Sequence, residues 1–388
     1  MTLGRFSNLK SILELLTVVG FLGTLSFVGV CSVLLPQSQQ TGAEWLSTVV
    51  SRQLATEGLP EFPAGFRVYF DEHFAFRKHL VRGYGLLSVS LFHTSSSQDV
   101  VLGDQGWLFF SGDNAIRDFR NVKPFKEAEL AAWADVLERR RKWLAARGSR
   151  YVFTVVPNGQ TIYPEFVPRE LNRVGSSSRW DQLLDYLRRH TLVTVVDLRP
   201  GLLAARQTSQ YELYNRTDTH WNTLGSFYGY EQLVQRLAAD FPGVRPLVRS
   251  SLGVSQKAKQ GGDLARMLGL QEDISELEVE AVWKVPRRAR TVGTAAEAQT
   301  RDIRYSRMLT TECPGAAIPR VVMVRDSQAG ALIPYLAEHF GRAVYLWNDG
   351  WEFDCELIER ERPQLVIEQI VERKLMRSPP ESQPAELR

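Results

Sequence analysis

Two short stretches of this chain carry the residue types that acyl transfer requires: Asp218-Thr219-His220-Trp221 and, about a hundred residues later, Val324-Arg325-Asp326-Ser327. A serine hydroxyl is a weak nucleophile near neutral pH. It needs an imidazole to take its proton and a carboxylate to fix the imidazole's tautomer. Ser327 supplies the hydroxyl, His220 the base, and Asp218 lies close enough in sequence to bond His220 around a tight turn. Each residue also has an ordinary reading: a Ser at such a turn can be only a helix N-cap, a lone His is more often structural, and Asp-x-His can ligate a metal. The sequence offers no further acidic or histidine cluster to complete a metal site, and no metal or cofactor is expected.

The elements that must position these residues are legible in the apolar pattern. Val321 to Val324 reads as a strand and Ala329 to Phe340 as helical, so Ser327 is expected at a strand's carboxyl end, where open α/β sheets bind ligands. A following helix N-terminus would let the amide of Gln328 and its neighbours hold an oxyanion. Asn348, after the strand Ala343 to Leu346, is a second candidate donor, with a turn-forming role as the alternative. Asp218 and His220 precede a predicted helix containing Phe227, Tyr230, Leu233 and Val234.

Elsewhere, Val101 to Phe110 predicts a hairpin around a Gly-containing turn. Leu130, Trp133, Val136, Leu137, Trp143 and Leu144 recur at helical spacing between Phe125 and Arg147, with Gly148 as a stop. Tyr151 to Val156, Leu192 to Leu198 and Leu365 to Glu368 read as strands, and Trp180 to Arg189 as a helix. This alternation predicts an α/β layer architecture with a central parallel sheet. Residues 252–311 break the rhythm and read as an insertion, its Glu276 to Glu280 and Arg287 to Arg290 runs forming solvated faces.

A chain of 388 residues, 44% hydrophobic and 23% charged, can bury a full core, and a net charge of +3 with interspersed signs argues against nucleic-acid binding. Leu15 to Leu35 carries no charged residue and is long enough to span a bilayer, while Arg5 and Lys10 precede it and favour a cytoplasmic N-terminus. An uncleaved anchor (residues 1–37) is preferred over a cleaved leader, because Thr41-Gly42-Ala43 is a poor cleavage site. A polar tether (38–63), a folded domain (64–376) and a disordered tail (377–388) complete the organisation. In an oxidising compartment Cys313 and Cys355 are the available disulfide pair, with two buried free thiols as the alternative.

The chain resembles the SGNH-hydrolase-like O-acetyltransferases of bacterial exopolysaccharide modification, especially the membrane-anchored alginate O-acetylation proteins. The resemblance spans roughly Phe66 to Arg373. It rests on the order of Phe70-Asp71-Glu72-His73-Phe74-Ala75-Phe76-Arg77, Gly106-Trp107-Leu108-Phe109, Val156-Pro157 with Ile162-Tyr163-Pro164, Asp218-Thr219-His220-Trp221, Gly262-Asp263-Leu264, Asp326-Ser327 and Glu372-Arg373. It implies a circularly permuted SGNH-like three-layer fold, with Ser327 as acyl-accepting nucleophile, His220 as base and Asp218 as its orienting acid. It also implies an exported polysaccharide as acceptor, an acetyl donor supplied by a multipass membrane-bound O-acyltransferase, and a periplasmic domain tethered to the bacterial inner membrane. Arg325 and Gln328 stand where this family usually has Gly and Phe, and the Lys common after Val-Pro-x is absent. Arg325 could crowd the turn or bind an anion. Acetyl esterase activity is one alternative. Another is an inactive polysaccharide-binding or assembly protein, in which Trp107, Trp221, Trp347 and Trp351 could stack on sugars, although for most of them the reading preferred is a place in the core, since aromatics contribute large buried area.

Overall fold

The computed structural model describes residues 14–24, 26–27, 77–294, 307–348 and 352–379. The chain divides into two compact units, Met1–Phe92 and His93–Arg388. In the first unit, residues 14–24 and 26–27 are helical, and helix α1 (Arg77–Leu86) runs into a wider helical turn at Leu87–Leu91. Among the described residues no helix is long and apolar enough to cross a membrane. The remainder of the expected span, the tether and Phe70 to Phe76 lie outside the described residues.

The second unit opens with the expected hairpin. Strands β1 (Val100–Leu102) and β2 (Leu108–Phe110) pair antiparallel, with Val101 opposite Phe109. Their turn puts Gln105 and Gly106 at positive φ. The central sheet contains β3 (Arg150–Val156), β4 (Thr194–Asp197), β7 (Arg290–Thr294), β8 (Leu309–Glu312), β9 (Ile318–Arg325), β10 (Phe340–Trp347) and β11 (Leu365–Val371), in the order β4-β3-β11-β9-β10-β8-β7. The pairings from β4 through β10 are parallel, and β8 joins β10 antiparallel. Between β4 and β7 in sequence, β5 (Leu252–Gln260) and β6 (Ser275–Trp283) form a separate antiparallel ribbon. The stretch read as an insertion therefore holds both this ribbon and β7, a strand of the main sheet.

Strand residues alternate between two cores. Val321 and Met323 face one cluster with Leu202 of α4 (Arg199–Thr208) and Phe227 and Tyr230 of α5 (Thr223–Asp240). Val322 and Val324 face the other with Trp133 and Leu137 of α2 (Glu127–Ala145), Leu183 and Leu187 of α3 (Arg179–His190), and Leu357 of α6 (Cys355–Glu361). This period-2 split makes the three layers. Helix α2 stops before Gly148 at φ 76°, and α3 starts at a capping box in which Ser178 Oγ accepts from the Asp181 amide at 3.0 Å.

One predicted helix is broken. After Ser327 the chain makes a 3₁₀ stretch (Ser327–Ala331), one short α-helical segment (Ile333–Leu336) and another 3₁₀ turn (Ala337–His339). Pro334 lacks an N–H and Gly330 favours no helix, so no long aligned dipole points at Ser327.

Of the two readings open for the cysteines, the structure shows the second: Cys313 and Cys355 are buried and are not joined in a disulfide. Cys313 follows Glu312, which pairs with Arg342 near the amino end of β10. Cys355 opens α6, whose far end returns Glu361 to Arg342. A helix thus separates the two thiols, beyond the short Cα spacing a disulfide needs.

Candidate active site

Ser327 directly follows β9 and Asp326, and the turn that presents it is built from the neighbouring strand β11. The Asp326 carboxylate is 3% exposed. It accepts from Gln369 Nε2 at 2.9 Å, from the Val371 amide at 2.6 Å and from the Gln328 amide at 3.0 Å, while Lys374 Nζ lies 3.5 Å away. The Asp326 amide in turn donates to Gln369 Oε1. A buried carboxylate is stable only when saturated in this way. Asp326 therefore caps the turn, and the Gln328 amide is committed to it. That corrects the expectation that this amide is free for an oxyanion.

The imidazole comes from a second loop. His220 Nδ1 is 2.7 Å from Asp218 Oδ1, which also accepts the His220 amide at 3.0 Å. The tight-turn bond expected from the spacing is present. With Nδ1–H donating to Asp218, Nε2 is left as the basic nitrogen. Asp218 is held in place by Asp263, whose amide donates to Asp218 Oδ2 at 3.2 Å. The Asp263 carboxylate accepts from the Thr219 amide at 2.8 Å and the Thr219 hydroxyl at 2.6 Å, and Oδ2 lies 3.8 Å from His220 Nδ1.

Gly262 makes this approach possible. A Cβ there would lie 2.5 Å from Asp218 Cβ and 2.6 Å from Oδ2, closer than any side chain tolerates. Behind it, Glu276 accepts the amides of Arg216 and Thr217 and the Thr217 hydroxyl, and that hydroxyl accepts the Gly262 amide. Glu276 was expected on a solvated face. It is 8% exposed and braces the Asp218 turn.

Two hydrogen bonds join the loops: Trp221 Nε1 donates to Gln328 O at 2.9 Å, and Gln328 Nε2 donates to Thr219 O at 3.0 Å. Both flank His220 on one side and adjoin Ser327 on the other. Among the described residues no hydrogen bond joins the Ser327 hydroxyl to the imidazole. Such bonds are often long before substrate binds.

Electrostatics suit a base. Burial works against the imidazolium of His220, but the Asp218 bond and charge, with Asp263, outweigh it and raise the pKa above its ordinary value; Arg373 pulls the other way. Burial likewise works against the Asp218 carboxylate, and the bond and charge of His220 more than offset it, holding that pKa low. Arg373 is also in electrostatic reach of Asp326 and Asp263, and burial depresses its own pKa.

Other expected residues have different places. Trp221 and Trp107 are 2% and 1% exposed, so neither can stack on a sugar. Trp347 is half-buried, with the guanidinium groups of Arg307 and Arg325 at 4.5 and 5.1 Å from its ring. Arg325 donates to Arg307 O and, on the reacting turn itself, to Asp326 O, so its guanidinium is engaged by backbone carbonyls. Asn348 Nδ2 donates to Glu352 O at 2.7 Å and so serves its own loop. Trp351 lies outside the described residues. Asp263, Glu276, Asp326 and Arg373 were missed as site residues, although the Gly262-Asp263 and Glu372-Arg373 pairs were visible as motifs. Asp263 also brings a third ligand-type atom within 4.8 Å of Asp218 and His220, a cluster that sequence spacing did not reveal. Its oxygens are already engaged by Thr219.

The fold defines a three-layer α/β protein with a serine, an imidazole and carboxylates gathered at the carboxyl edge of a mostly parallel sheet. Residues 100–372 match the family described as SGNH hydrolase-like domain, acetyltransferase AlgX, and the chain belongs to that family. It is 28% identical over 216 residues to a probable alginate O-acetylase AlgJ of Pseudomonas aeruginosa, covering 55% of this chain and 51% of the relative. It is 25% identical over 270 residues to the AlgJ of Pseudomonas syringae pv. tomato, covering 68% and 63% respectively. The chain thus spans less than two thirds of the length of either relative. A DHHW family protein from Eubacterium siraeum shares the fold, with a TM-score of 0.50 at 14% identity over 73% of this chain and 99% of that one.

Proposed function

We propose that this chain is an O-acetyltransferase that moves acetyl groups onto hydroxyls of an exported polysaccharide through an acetyl-Ser327 intermediate. The observation that carries the reading is the Asp218–His220 pair, tied by Gln328 and Trp221 to the turn bearing Ser327. Family membership and the activity for which the AlgJ relatives are named support it.

In the first half-reaction Ser327 Oγ attacks the acetyl carbonyl of an ester donor while His220 Nε2 takes the hydroxyl proton. The tetrahedral intermediate collapses as His220 returns that proton to the leaving oxygen. In the second half, a sugar hydroxyl gives its proton to Nε2 and attacks the acetyl-enzyme, and Ser327 leaves, regaining its proton. Asp218 keeps the tautomer correct in both halves and stabilises the imidazolium.

The same proposal places the domain outside the bacterial inner membrane, with residues 15–35 as anchor and a multipass membrane-bound O-acyltransferase passing the acetyl group across. The uncharged run and the strong exposure of Leu15, Leu16, Val18, Val19, Phe21 and Leu22 support the anchor.

The test is mass spectrometry after incubation with an activated acetyl ester. A 42 Da adduct on a Ser327 peptide, lost in Ser327→Ala and at least 10³-fold slower to form in His220→Ala, is expected. No adduct and no ester turnover in folded wild-type protein would overturn the proposal.

A further inference from the structure

The carboxyl edge of the sheet continues past the triad. Ser327 follows β9, Glu372 and Arg373 follow β11, Asn158 and Thr161 follow β3, and Arg199 follows β4. These four strands are neighbours in that order. At roughly 4.8 Å per strand the edge runs about 14 Å from Ser327 to Arg199. At its far end lies a cavity of about 300 Å³, at the lower limit of the roughly 300–1,000 Å³ typical of small-ligand sites.

Two acceptor oxygens in its wall have no hydrogen-bond partner among the described residues: Asp118 Oδ1 and Asn121 Oδ1. Asp118 is 4% exposed, and leaving such an atom unpaired costs about 1–3 kcal/mol. Neighbouring Glu372, 2% exposed, accepts the Asn158 amide at 2.8 Å and the Thr161 hydroxyl at 2.6 Å. Asn158 Oδ1 also meets Arg373 at 3.4 Å, so this wall is shared with the triad's surroundings.

Charge narrows the ligand. Arg199 is paired with Asp197 at 2.9 Å and Asp181 at 2.7 Å. That leaves Asp118 and Glu372 against a single further lining cation, Arg173, which lies over the Phe119 ring at 4.8 Å. The lining sets four carboxyl groups against two guanidinium groups, which disfavours an anionic ligand. Unpaired acceptors require a ligand with O–H or N–H donors. Phe119, Pro200 and Leu203 offer apolar surface to the carbon face of a ring.

We propose that this cavity is a distal acceptor subsite that holds an uncharged, hydroxyl-bearing sugar ring of the polymer being acetylated at Ser327. The assignment rests on the acetyltransferase reading for its second half, and on the cavity alone for its first. It selects neutral sugars over uronates, a preference that sets this chain apart from what the names of its alginate-acetylating relatives would suggest. Burial first, then the charge of Glu372, raises the pKa of Asp118 well above its ordinary value, so this pair can keep a proton and donate as well as accept.

Calorimetry on the full-length chain would use cellohexaose, β-1,4-mannohexaose and hexamannuronate. At least one neutral hexasaccharide is expected to bind ten-fold or more tightly than hexamannuronate. Leu203→Trp, which fills the cavity from its half-exposed rim, should weaken that binding at least ten-fold, and Arg173→Ala should weaken it in the same direction. Both should leave the rate of Ser327 acetylation by an activated ester unchanged. Equal binding by wild type and Leu203→Trp, tighter binding of the uronate, or no binding of any neutral probe would overturn the subsite. Absence of acetyl-Ser327 together with Leu203-dependent sugar binding would instead sink the catalytic reading and keep the cavity.

Discussion

His220 titrates under the control of two carboxylates, and the consequence is a measurable pH limb. Its folded pKa is raised, chiefly by Asp218 and then Asp263 against burial. Base catalysis needs the neutral imidazole, so ester turnover should rise with pH through an apparent pKa above the ordinary 6.5. Asp263→Asn removes one of the raising charges and should move that limb to lower pH while Asp218 still orients the ring. A pH–rate profile of the two proteins checks this, and an unmoved limb would remove Asp263 from the electrostatics of the base. Gly262 gives a second test of placement. Its Cβ would strike Asp218, so Gly262→Ala should displace the carboxylate and lower turnover by about 10²-fold, as a misplacement near 1 Å does. Comparable turnover in a folded Gly262→Ala protein would show that the loop gives way without consequence.

Among the elements, β11 carries the most dependencies. Its Gln369 and Val371 shape the Ser327 turn, and its Glu368 anchors the strand to α2. Glu368 Oε1 lies 2.5 Å from Arg140 Nη1, and Tyr151 donates to Oε2 at 2.5 Å. Arg140 and Glu368 are each 1% exposed. Truncating one member strands a buried charge. Glu368→Ala should therefore cost about 3–5 kcal/mol in denaturant unfolding, whereas Arg140→Met with Glu368→Leu should cost far less. A single mutant as stable as the wild type would mean water reaches the pair. The broken segment after Ser327 belongs to this scale too. The sequence pattern suggested one helix, and Pro334 with the Asp326 cap made three short pieces instead.

For the whole molecule, acid stability should hinge in part on His339. Burial holds its pKa down to about 4. Its Nε2 is 2.6 Å from the Tyr230 hydroxyl, which also accepts the Leu247 amide. Because the folded value is depressed, the folded protein resists protonation that the unfolded chain accepts. Stability from this group is fully present above about pH 6.5 and is lost as pH falls toward 4. From pH 7 to pH 5 the loss should be about 2 kcal/mol. Urea unfolding of wild type and His339→Gln at both values reads it as a difference, and identical pH dependence in the two would exclude His339.

The sequence by itself determined what local periodicity and local spacing encode. The alternating β and helical patterns gave the layers, because side chains repeat every second residue in strands and every third or fourth in helices. Asp218 and His220 were legible as a pair because two residues of one turn bring the carboxylate to the ring without tertiary help. Only the tertiary structure decided what depends on distant segments meeting. It drew Asp263 and Glu276 from about 40 to 60 residues away onto the Asp218 turn, took the Gln328 amide for Asp326, put Trp107 and Trp221 in the core, and kept Cys313 and Cys355 apart. Residues of the same type look alike in sequence whether they are solvated or buried. Which of them are desolvated, and against which partner, is fixed when the sheet and its two helical layers close.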